Sequence, residues 1–433
     1  GLVACLGLGL AVLLSLRRDR PLPAPLPPTG PPASPVAPEG FTSLVRRAPA
    51  GEVLGSGLGA DCQLVQQGRT LISLVSRETL PLRVFELHAS RDGGRSWAQL
   101  PVSALDGLGV AHLAAAAEGP LHLTGISSGE PDSLKRWILD PTPDLSGAAV
   151  RDHDPRVLWL DGQGELCHPL LHLDARGRVT ATAAVRQAWV TVLRGEGPAG
   201  WATPEQPFPR LAIYPALASD PQGDLHVCYR VPVDSVPWSE HHPYTVHAVH
   251  YQRWRAAQRS WDPPLELARH TTECSALRLR PDGAVQVLTY QIAGTPEEVL
   301  ALGPGARKPT RLLLITLPPG GALETRVLDP DLVHHEMDAR RVVAFAEGEV
   351  PCAVYLRQPV GEGPACLTRL DGGPRRDLHD VPCWGLQVAP RQAQGLVRAL
   401  VLEEGGTVAR LVATPVPGAP TRATGSGTGS ARR

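Results

Sequence analysis

The sequence has little lysine, little methionine and few aromatic residues. Lysine occurs only at Lys135 and Lys308, one Met is present, and Phe, Trp and Tyr together make up 4% of the chain. The 42 Lys and Arg residues are balanced by 43 Asp and Glu residues, and the basic residues form no run. Nucleic-acid binding is therefore not predicted, because it needs a concentrated positive surface.

Several short motifs are also absent. The sequence contains no glycine-rich phosphate loop, GxSxG elbow, HExxH motif or CxxC pair, so it predicts no cofactor and no bound metal. Seven cysteines follow the first 16 residues, and an odd number without CxxC spacing excludes a zinc finger and a complete disulfide set. Two pairs, Cys352 with Cys366 and Cys62 with Cys383, are expected on neighbouring strands. Disulfides and buried thiols are the alternatives, and buried thiols are the commoner outcome.

The two ends of the chain do not resemble a folded domain. Gly1–Leu16 is uncharged and almost wholly apolar, which favours an uncleaved membrane anchor over a signal peptide. Residues 17–49 form a Pro-rich linker that cannot build a core, and residues 416–433 read as a disordered tail. The folded domain is expected at residues 50–415. We expect a bacterial protein whose domain lies in the periplasm or outside the cell.

One pattern recurs seven times within this domain: an apolar strand, a polar turn with a glycine, and an alternating strand. The turns are 46 to 65 residues apart, which suits one four-stranded blade per copy. The sequence therefore predicts an all-β fold, a β-propeller with seven blades. One alternative is six blades, because residues 128–168 resist assignment and RVLWLDGQGELC offers a competing hairpin. The other is a β-sandwich whose turns match the pattern by coincidence. The turn glycines are Gly68, Gly119, Gly177, Gly223, Gly283, Gly348 and Gly395.

The segment SRDGGRSW has the residues of an Asp-box turn: Ser90, Asp92, Gly94 and Trp97. Asp92 can accept hydrogen bonds from the turn, Gly94 permits a positive φ, and Trp97 can pack between sheets. Weaker copies end at Trp201 and Trp261. On these residues the chain resembles the sialidase-like, Asp-box (BNR-repeat) β-propeller superfamily, over about residues 55 to 415.

This resemblance implies the β-propeller fold but not the catalytic activity of sialidases. Sialidases of the superfamily use an arginine triad, a Tyr–Glu nucleophile pair and an Asp acid/base, and the first triad arginine sits in a Phe/Tyr-Arg-Ile/Leu-Pro motif. Here Phe208-Pro209-Arg210-Leu211 has the wrong order and place, so no catalytic residue is carried over. We expect a non-catalytic, membrane-anchored module that binds a protein or a glycan. The alternatives are a sialidase-like glycoside hydrolase and the sensor domain of a membrane signalling protein.

Histidines with acidic neighbours recur in loops that a propeller would bring to one mouth of its channel. A solvated surface, a ligand-binding face and a metal site are the three interpretations, since His with carboxylate suits Zn²⁺. No fixed ligand spacing supports a metal. His247 and His250 are three apart on a predicted strand, so they face opposite sides. The candidate ligand-binding residues are Glu240, His241, His242, His270, Glu273, His334, His335, Glu336, Asp338 and His379.

Overall fold

The computed structural model consists almost entirely of antiparallel β-strands. It describes residues 42–43, 62–79, 82–94, 96–115, 121–127, 130–141, 148–159, 166–173, 179–185, 189–194, 207–209, 212–237, 243–295, 298, 307–334, 343–359, 361–380, 382–389, 392, 395–403 and 408–417. Within these ranges, no helix has the length and apolar character needed to cross a bilayer. The predicted anchor at Gly1–Leu16, the linker up to residue 41 and the tail from residue 418 lie outside the described residues.

The first part of the chain forms three sheets, apart from strand β1 (Thr42–Ser43), which joins the last sheet. A short 3-10 helix, Ser103–Leu105, links the first sheet to the second. The first sheet contains β2 (Cys62–Gln67), β3 (Thr70–Thr79), β4 (Leu82–Ser90) and β5 (Ala98–Leu100). The second contains β6 (Leu108–Ala115), β7 (Leu121–Ser127), β8 (Glu130–Pro141) and β9 (Ala148–Trp159), and the third β10 (Leu166–Leu173), β11 (Val179–Val185) and β12 (Trp189–Arg194).

The second part forms one sheet of eight strands and two of four. The large sheet contains β13 (Ile213–Ser219), β14 (Leu225–Pro237), β15 (Pro243–Arg255), β16 (Ser260–Trp261), β17 (Leu265–Leu279), β18 (Val285–Ile292), β19 (Lys308–Leu317) and β20 (Glu324–His334). The next contains β21 (Val343–Ala346), β22 (Cys352–Leu356), β23 (Ala365–Arg369) and β24 (Arg376–Asp377). The last contains β25 (Gly385–Val388), β26 (Leu396–Glu403), β27 (Val408–Pro415) and β1.

Each of the seven predicted hairpins is present. The pairs are β2–β3, β6–β7, β10–β11, β13–β14, β17–β18, β21–β22 and β25–β26. Gly68 and Gly283 have φ values of 56° and 84° at their turns, a region that glycine enters without a steric penalty. The competing hairpin is not formed by the described strands, since β9 pairs with β8 and β10 pairs with β11.

The first strands of the hairpins contact one another in a closed ring. The contacts run from β2 to β6, β10, β13, β17, β21 and β25, and from β25 back to β2. Neighbouring sheets pack through their apolar faces, as Leu87 of β4 and Leu123 of β7 do in one core cluster. Sheets arranged radially around a ring of first strands form a β-propeller fold.

The eight-stranded sheet folds back on itself at β17. The first part of β17 pairs with β15, and its last part pairs with β18. Residues from both sides share one core cluster, including Cys228 and Val249 from one side and Val287 and Leu313 from the other. We refer to the two sides as the β13–β16 half and the β18–β20 half. Because the two halves share this core cluster, they pack face to face, as two separate sheets would.

Four of the cysteines are buried free thiols: Cys228, Cys352, Cys366 and Cys383. Cys352 and Cys366 lie on neighbouring strands but three positions out of register, because Cys352 opposes Arg369 and Cys366 opposes Tyr355. An odd offset puts their side chains on opposite faces of the sheet, and both thiols are free. The thiol of Cys383 donates to the carbonyl oxygen of Gly385 at 3.1 Å.

Candidate ligand-binding site

The two ends of the sheets differ in their connections. At the hairpin end lie the turns between first and second strands, such as those at Gly223 and Gly283. At the crossover end the chain passes from one sheet to the next, and second strands are joined to third strands. Four predicted ligand-binding residues fall within the described residues, and the backbone of each lies at the crossover end: His270, Glu273, His334 and His379.

His270 lies where β17 leaves one half of its sheet for the other. Thr271 is the last partner of β15, opposite His247, and the register with β18 shifts between Thr271 and Ser275. His270 has a φ of 55°, which residues other than glycine seldom adopt. Glu273 lies in the same stretch of β17. The sequence predicted a loop here, but the strand continues because it pairs with β15 first and β18 afterwards.

His334 and His379 lie away from His270. His334 ends β20 opposite Lys308, and two strands separate β20 from β17. Three ladder steps of about 4.8 Å, together with an offset along the strands, put the backbones of His270 and His334 more than about 14 Å apart. His379 is buried, and its Nε2 accepts a hydrogen bond from the Ala365 N–H at 3.3 Å. The six remaining candidates lie outside the described residues: Glu240, His241, His242, His335, Glu336 and Asp338.

Polar side chains replace the apolar core at the crossover end of the folded sheet. On β14 and β15, Arg230 and His247 continue the faces that carry Cys228 and Val249 in the shared core. On β18 and β19, the opposing face ends in Gln291 and Arg311, beyond Val287 and Leu313. Because side chains alternate along a strand, the pair on β14 and β15 and the pair on β18 and β19 face the same interface, between the two halves of the folded sheet. We call Arg230, His247, Gln291 and Arg311 the crossover-end cluster.

Hydrogen bonds hold one side of this cluster in place. Arg311 donates from Nε and Nη2 to Oε1 of Gln291, at 2.8 and 2.6 Å. Gln291 donates from Nε2 to the Arg269 carbonyl oxygen at 2.9 Å, which ties β19 and β18 to the crossover in β17. The Arg269 side chain pairs with Glu266 at 2.7 Å and lowers the pKa of that carboxyl group. Arg311 is exposed, so its guanidinium can also reach a ligand.

The other side of the cluster is buried. Arg230 is completely buried and His247 is 7% exposed. The Thr271 hydroxyl donates to the His247 carbonyl oxygen at 3.0 Å. Burial, with a smaller contribution from the charge of Arg230, lowers the pKa of His247 to about 4. His247 is therefore neutral near pH 7.

His250 belongs to the opposite face of β15. Its ring stacks on Tyr229, with centroids 5.8 Å apart and an interplanar angle of 17°. Its Nε2 lies 3.9 Å from Oε2 of Glu266, and burial lowers its pKa. His247 instead faces Arg230, so the two histidines do not share a site.

The Asp-box residues lie at the hairpin end of the first sheet and form a closed turn. Ser90 Oγ donates to Asp92 Oδ1 at 2.8 Å and accepts from the Gly94 N–H at 2.8 Å. The Trp97 indole donates to the Gly94 carbonyl oxygen at 3.1 Å. Trp97 packs against a core that contains Leu64 of β2 and Leu411 of β27. This turn therefore lies at the seam between the first and last sheets, and it offers no group to the crossover-end cluster.

Metal binding and anion binding need different side chains from the described residues. No group of three or more His, Cys, Asp or Glu side chains able to hold a metal ion occurs among them. The cluster instead presents the exposed guanidinium of Arg311, which can bind carboxylate or sulfate oxygens through charge-assisted hydrogen bonds.

The sequence did not point to Arg230, Gln291 or Arg311. Arg230 interrupts an apolar strand in HVCYRV, Gln291 lies near the end of VQVLTYQI, and Arg311 directly precedes the apolar run LLLI. A polar residue in a buried strand is a usable signal, because its burial requires partners. Their convergence could not be read from the sequence, since it depends on the register of four strands.

Sequence comparison adds no family to this description. No protein-family model matches the chain, and a search of curated proteins gives no match.

Solved structures do match. The polysaccharide lyase Uly1 gives a TM-score of 0.54 at 9% identity, over 84% of this chain and 91% of its own. A polysaccharide lyase PL25 (ulvan lyase) bound to -[GlcA(1-4)Rha3S]- gives 0.53 at 10% identity, over 84% and 95%. A Trypanosoma rangeli sialidase is matched at 0.42 and 11% identity, over 86% and 59%. The two lyase matches bear on the fold alone. The resemblance to the sialidase-like β-propeller superfamily is confirmed at that level.

Proposed function

We propose that this chain is a seven-bladed β-propeller that binds an anionic glycan, without cleaving it, at the crossover-end cluster. The observation that carries the proposal is the exposed guanidinium of Arg311, held by the Gln291 amide at the end of an apolar core. A guanidinium fixed in this way suits the carboxylate or sulfate groups of an acidic sugar.

The blade number rests on the ring of first strands. The ring contains β2, β6, β10, β13, β17, β21 and β25, and each begins one predicted hairpin. Counting the two halves of the folded sheet as two blades gives seven. The three-stranded sheet β10–β12 is then a blade with fewer described strands.

The choice of an acidic glycan is supported by the fold comparison. The PL25 ulvan lyase that shares this fold is described in complex with a glucuronate linked to a sulfated rhamnose. That ligand carries two kinds of anion, and the crossover-end cluster offers the exposed guanidinium of Arg311. Identity of 10% transfers no residue from that enzyme, so the cluster supports this proposal through its own chemistry.

Two described groups near the site are poorly suited to donate a proton near neutral pH. Arg269 lowers the pKa of Glu266, so this carboxylate stays ionised and is a poor proton donor. His247 has a pKa of about 4, and its position beside a guanidinium opposes protonation. Neither group is tuned toward general acid catalysis near neutral pH.

The predicted loop residues and the membrane tether belong to the same proposal. Glu240, His241, His242, His335, Glu336 and Asp338 would extend the binding face around the crossover end. Gly1–Leu16 would anchor the chain, with the propeller in the periplasm or outside the cell. Membrane fractionation, together with protease accessibility in intact cells, tests the tether independently of binding.

Calorimetric titration with acidic oligosaccharides tests the binding. The probes are a hyaluronan tetrasaccharide, a heparin tetrasaccharide and the chemically desulfated heparin tetrasaccharide. We expect at least one acidic probe to bind, with an affinity that falls as salt rises. Arg311→Gln should weaken that binding by about tenfold, because it removes a charge-assisted contact.

Arg376→Gln is the matched control, since it removes the same charge from an exposed side chain of β24. Equal affinities for Arg311→Gln and the unchanged chain would reject the assignment of the site. Ultraviolet absorbance of unsaturated uronates and reducing-end assays follow the same mixtures over time. Release of product by the unchanged chain would reject a non-catalytic role and favour a glycan-cleaving enzyme.

A further inference from the structure

A second cleft opens at the hairpin end, on the other side of the β18–β20 half. Its volume is about 720 Å³, within the range of about 300–1,000 Å³ that is usual for small-ligand sites. Its walls include residues 349–351, between β21 and β22, and residues 369–371, which follow β23. We call it the hairpin-end cleft. It lies at the opposite end of the strands from the crossover-end cluster.

The floor of the cleft is a polar row across the whole β18–β20 half. Register places Arg278 of β17 opposite Gln286, Gln286 opposite Thr316, and Thr316 opposite Glu324. The same face carries Leu288 and Leu314 in the next row, where they belong to the core against β21–β24. The sheet face therefore changes from apolar to polar where the cleft begins.

Hydrogen bonds fix the inner part of this floor. Arg278 donates from Nε to Gln286 Oε1 at 2.8 Å and from Nη1 to Glu347 Oε2 at 2.9 Å. Its guanidinium also lies 5.1 Å from the centroid of the Phe345 ring. Gln286 donates from Nε2 to Thr316 Oγ1 at 3.1 Å. The amide and the guanidinium are thus held before any ligand arrives, which reduces the entropy lost on binding.

The outer part of the floor keeps unused hydrogen-bonding capacity. Thr316 Oγ1 accepts from Gln286, and its own hydrogen finds no acceptor among the described residues. The Glu324 carboxylate likewise has no hydrogen-bond donor within the described ranges. A hydroxyl group can accept from Thr316 and donate to Glu324 at the same time, because it is both acceptor and donor.

Charges in the cleft are largely matched within the protein. Arg278 pairs with Glu347 at 2.9 Å and Arg280 with Asp282 at 2.7 Å, while Arg369 pairs with Asp371. The cleft is also lined by Arg326 and by the carboxylates of Glu324 and Glu349. An ionic ligand would therefore meet little uncompensated charge of either sign.

We propose that the hairpin-end cleft binds a short uncharged saccharide. The cleft combines a pre-formed row of amide, guanidinium and hydroxyl groups with matched charges and a volume suited to a few sugar units. This second site is independent of the proposed acidic-glycan site at the crossover end.

Titration of the full chain with maltotriose, cellotriose and laminaritriose, followed by calorimetry and saturation-transfer NMR, tests this assignment. We expect at least one trisaccharide to bind. Thr316→Val keeps the side-chain shape but removes the hydroxyl group, and should weaken binding about tenfold. Gln286→Leu should weaken it further, because it also releases Arg278. Val327→Ala is the control, since Val327 is exposed on β20 and does not line the cleft.

Three results would overturn the assignment. The first is no binding of any of the three sugars to the unchanged chain. The second is an affinity that Thr316→Val leaves unaltered in a variant with native circular dichroism. The third is displacement of the sugar by inorganic sulfate or by glucuronate, which would indicate an anion site. Binding of acidic oligosaccharides to the same variants is measured in parallel, so failure at one end of the propeller is distinguished from failure at the other.

Discussion

In the crossover-end cluster, burial keeps His247 neutral beside a charged guanidinium. His247 has a pKa of about 4 in the folded chain, against an ordinary value of 6.5. Between these values the unfolded chain binds a proton that the folded chain does not. The free energy of unfolding therefore rises with pH across this window, and this contribution of His247 is lost on acidification.

We predict that this residue makes the protein acid-sensitive. Each unit of pKa difference corresponds to about 1.4 kcal/mol, so lowering the pH from 6.5 to 4 should cost roughly 3 kcal/mol through His247 alone. His247→Gln should reduce the slope of the unfolding free energy against pH by the amount that corresponds to about one bound proton. Urea titrations at several pH values measure this slope.

Thr271→Val is the matched control for this prediction. It removes the hydroxyl that donates to the His247 carbonyl oxygen, so it should destabilise the fold by about 1 kcal/mol without adding or removing a titrating group. Parallel pH curves for His247→Gln and the unchanged chain would show that the acid sensitivity arises elsewhere, for example at His250, whose pKa is also lowered.

At the scale of the element, the Asp-box turn joins local hydrogen bonding to long-range packing. Asp92 Oδ1 accepts from the Ser90 hydroxyl at 2.8 Å and from the Ser96 N–H at 3.0 Å. Gly94 has a φ of 94°, and a Cβ added there would lie 1.9 Å from Leu411 Cδ2 of β27. Glycine is required at this position twice, for its backbone conformation and for the close approach of another sheet.

We predict that Gly94→Ala destabilises the protein by about 3 to 5 kcal/mol, from left-handed strain combined with overpacking. Gly107→Ala supplies the comparison, because Gly107 also has a positive φ of 75° but no atom lies within 4 Å of its added Cβ. That variant should lose only about 1 to 2 kcal/mol. Equal losses in thermal unfolding of the two variants would mean that the contact with Leu411 has no energetic role.

The hairpins could be predicted because their signal is local. Alternating residues on both sides of a turn glycine are enough to specify two antiparallel strands, as at Gly283. The fold at β17 could not be predicted, since one strand pairs with β15 and then with β18 and passes through His270 at a positive φ. Nothing near His270 in the sequence requires that conformation; the two neighbouring strands impose it.

The candidate sites show the same division. The sequence drew attention to histidine-rich loops, which are conspicuous in composition. The crossover-end cluster depends on Arg230 and Arg311, which lie on different strands and meet only through register and alternation. The floor of the hairpin-end cleft likewise needs four strands in register, from Arg278 to Glu324. Polar residues that are close together in the sequence could be recognised as a group. Polar residues that lie on different strands could not, because the register that brings them together is not visible in the sequence.

At the scale of the whole molecule, the two ends of the described chain meet in one sheet. Thr42 and Ser43 of β1 pair with Leu411 and Arg410 of β27. The sheet β25–β27 would otherwise end at β27, leaving its outer backbone groups unpaired. A ring of sheets closed by a strand from the opposite end of the sequence cannot open at this seam without losing that pairing.

We predict that a chain beginning at Val45 is less stable than one beginning at Gly40, which retains β1 and starts the unit formed by Gly40–Arg433. Removing the two-residue strand should lower the free energy of unfolding by about 1 to 3 kcal/mol, because the backbone groups of β27 lose their partners. It should also speed hydrogen exchange at the amide that bonds to β1, which is that of Arg410 or of Leu411, and much less at the amides of β18 on the far side of the ring. If closure acts on the whole ring, the midpoint of the single thermal transition falls. Exchange that rises only in β27, with an unchanged midpoint, would mean that β1 protects one edge and does not help to hold the ring closed.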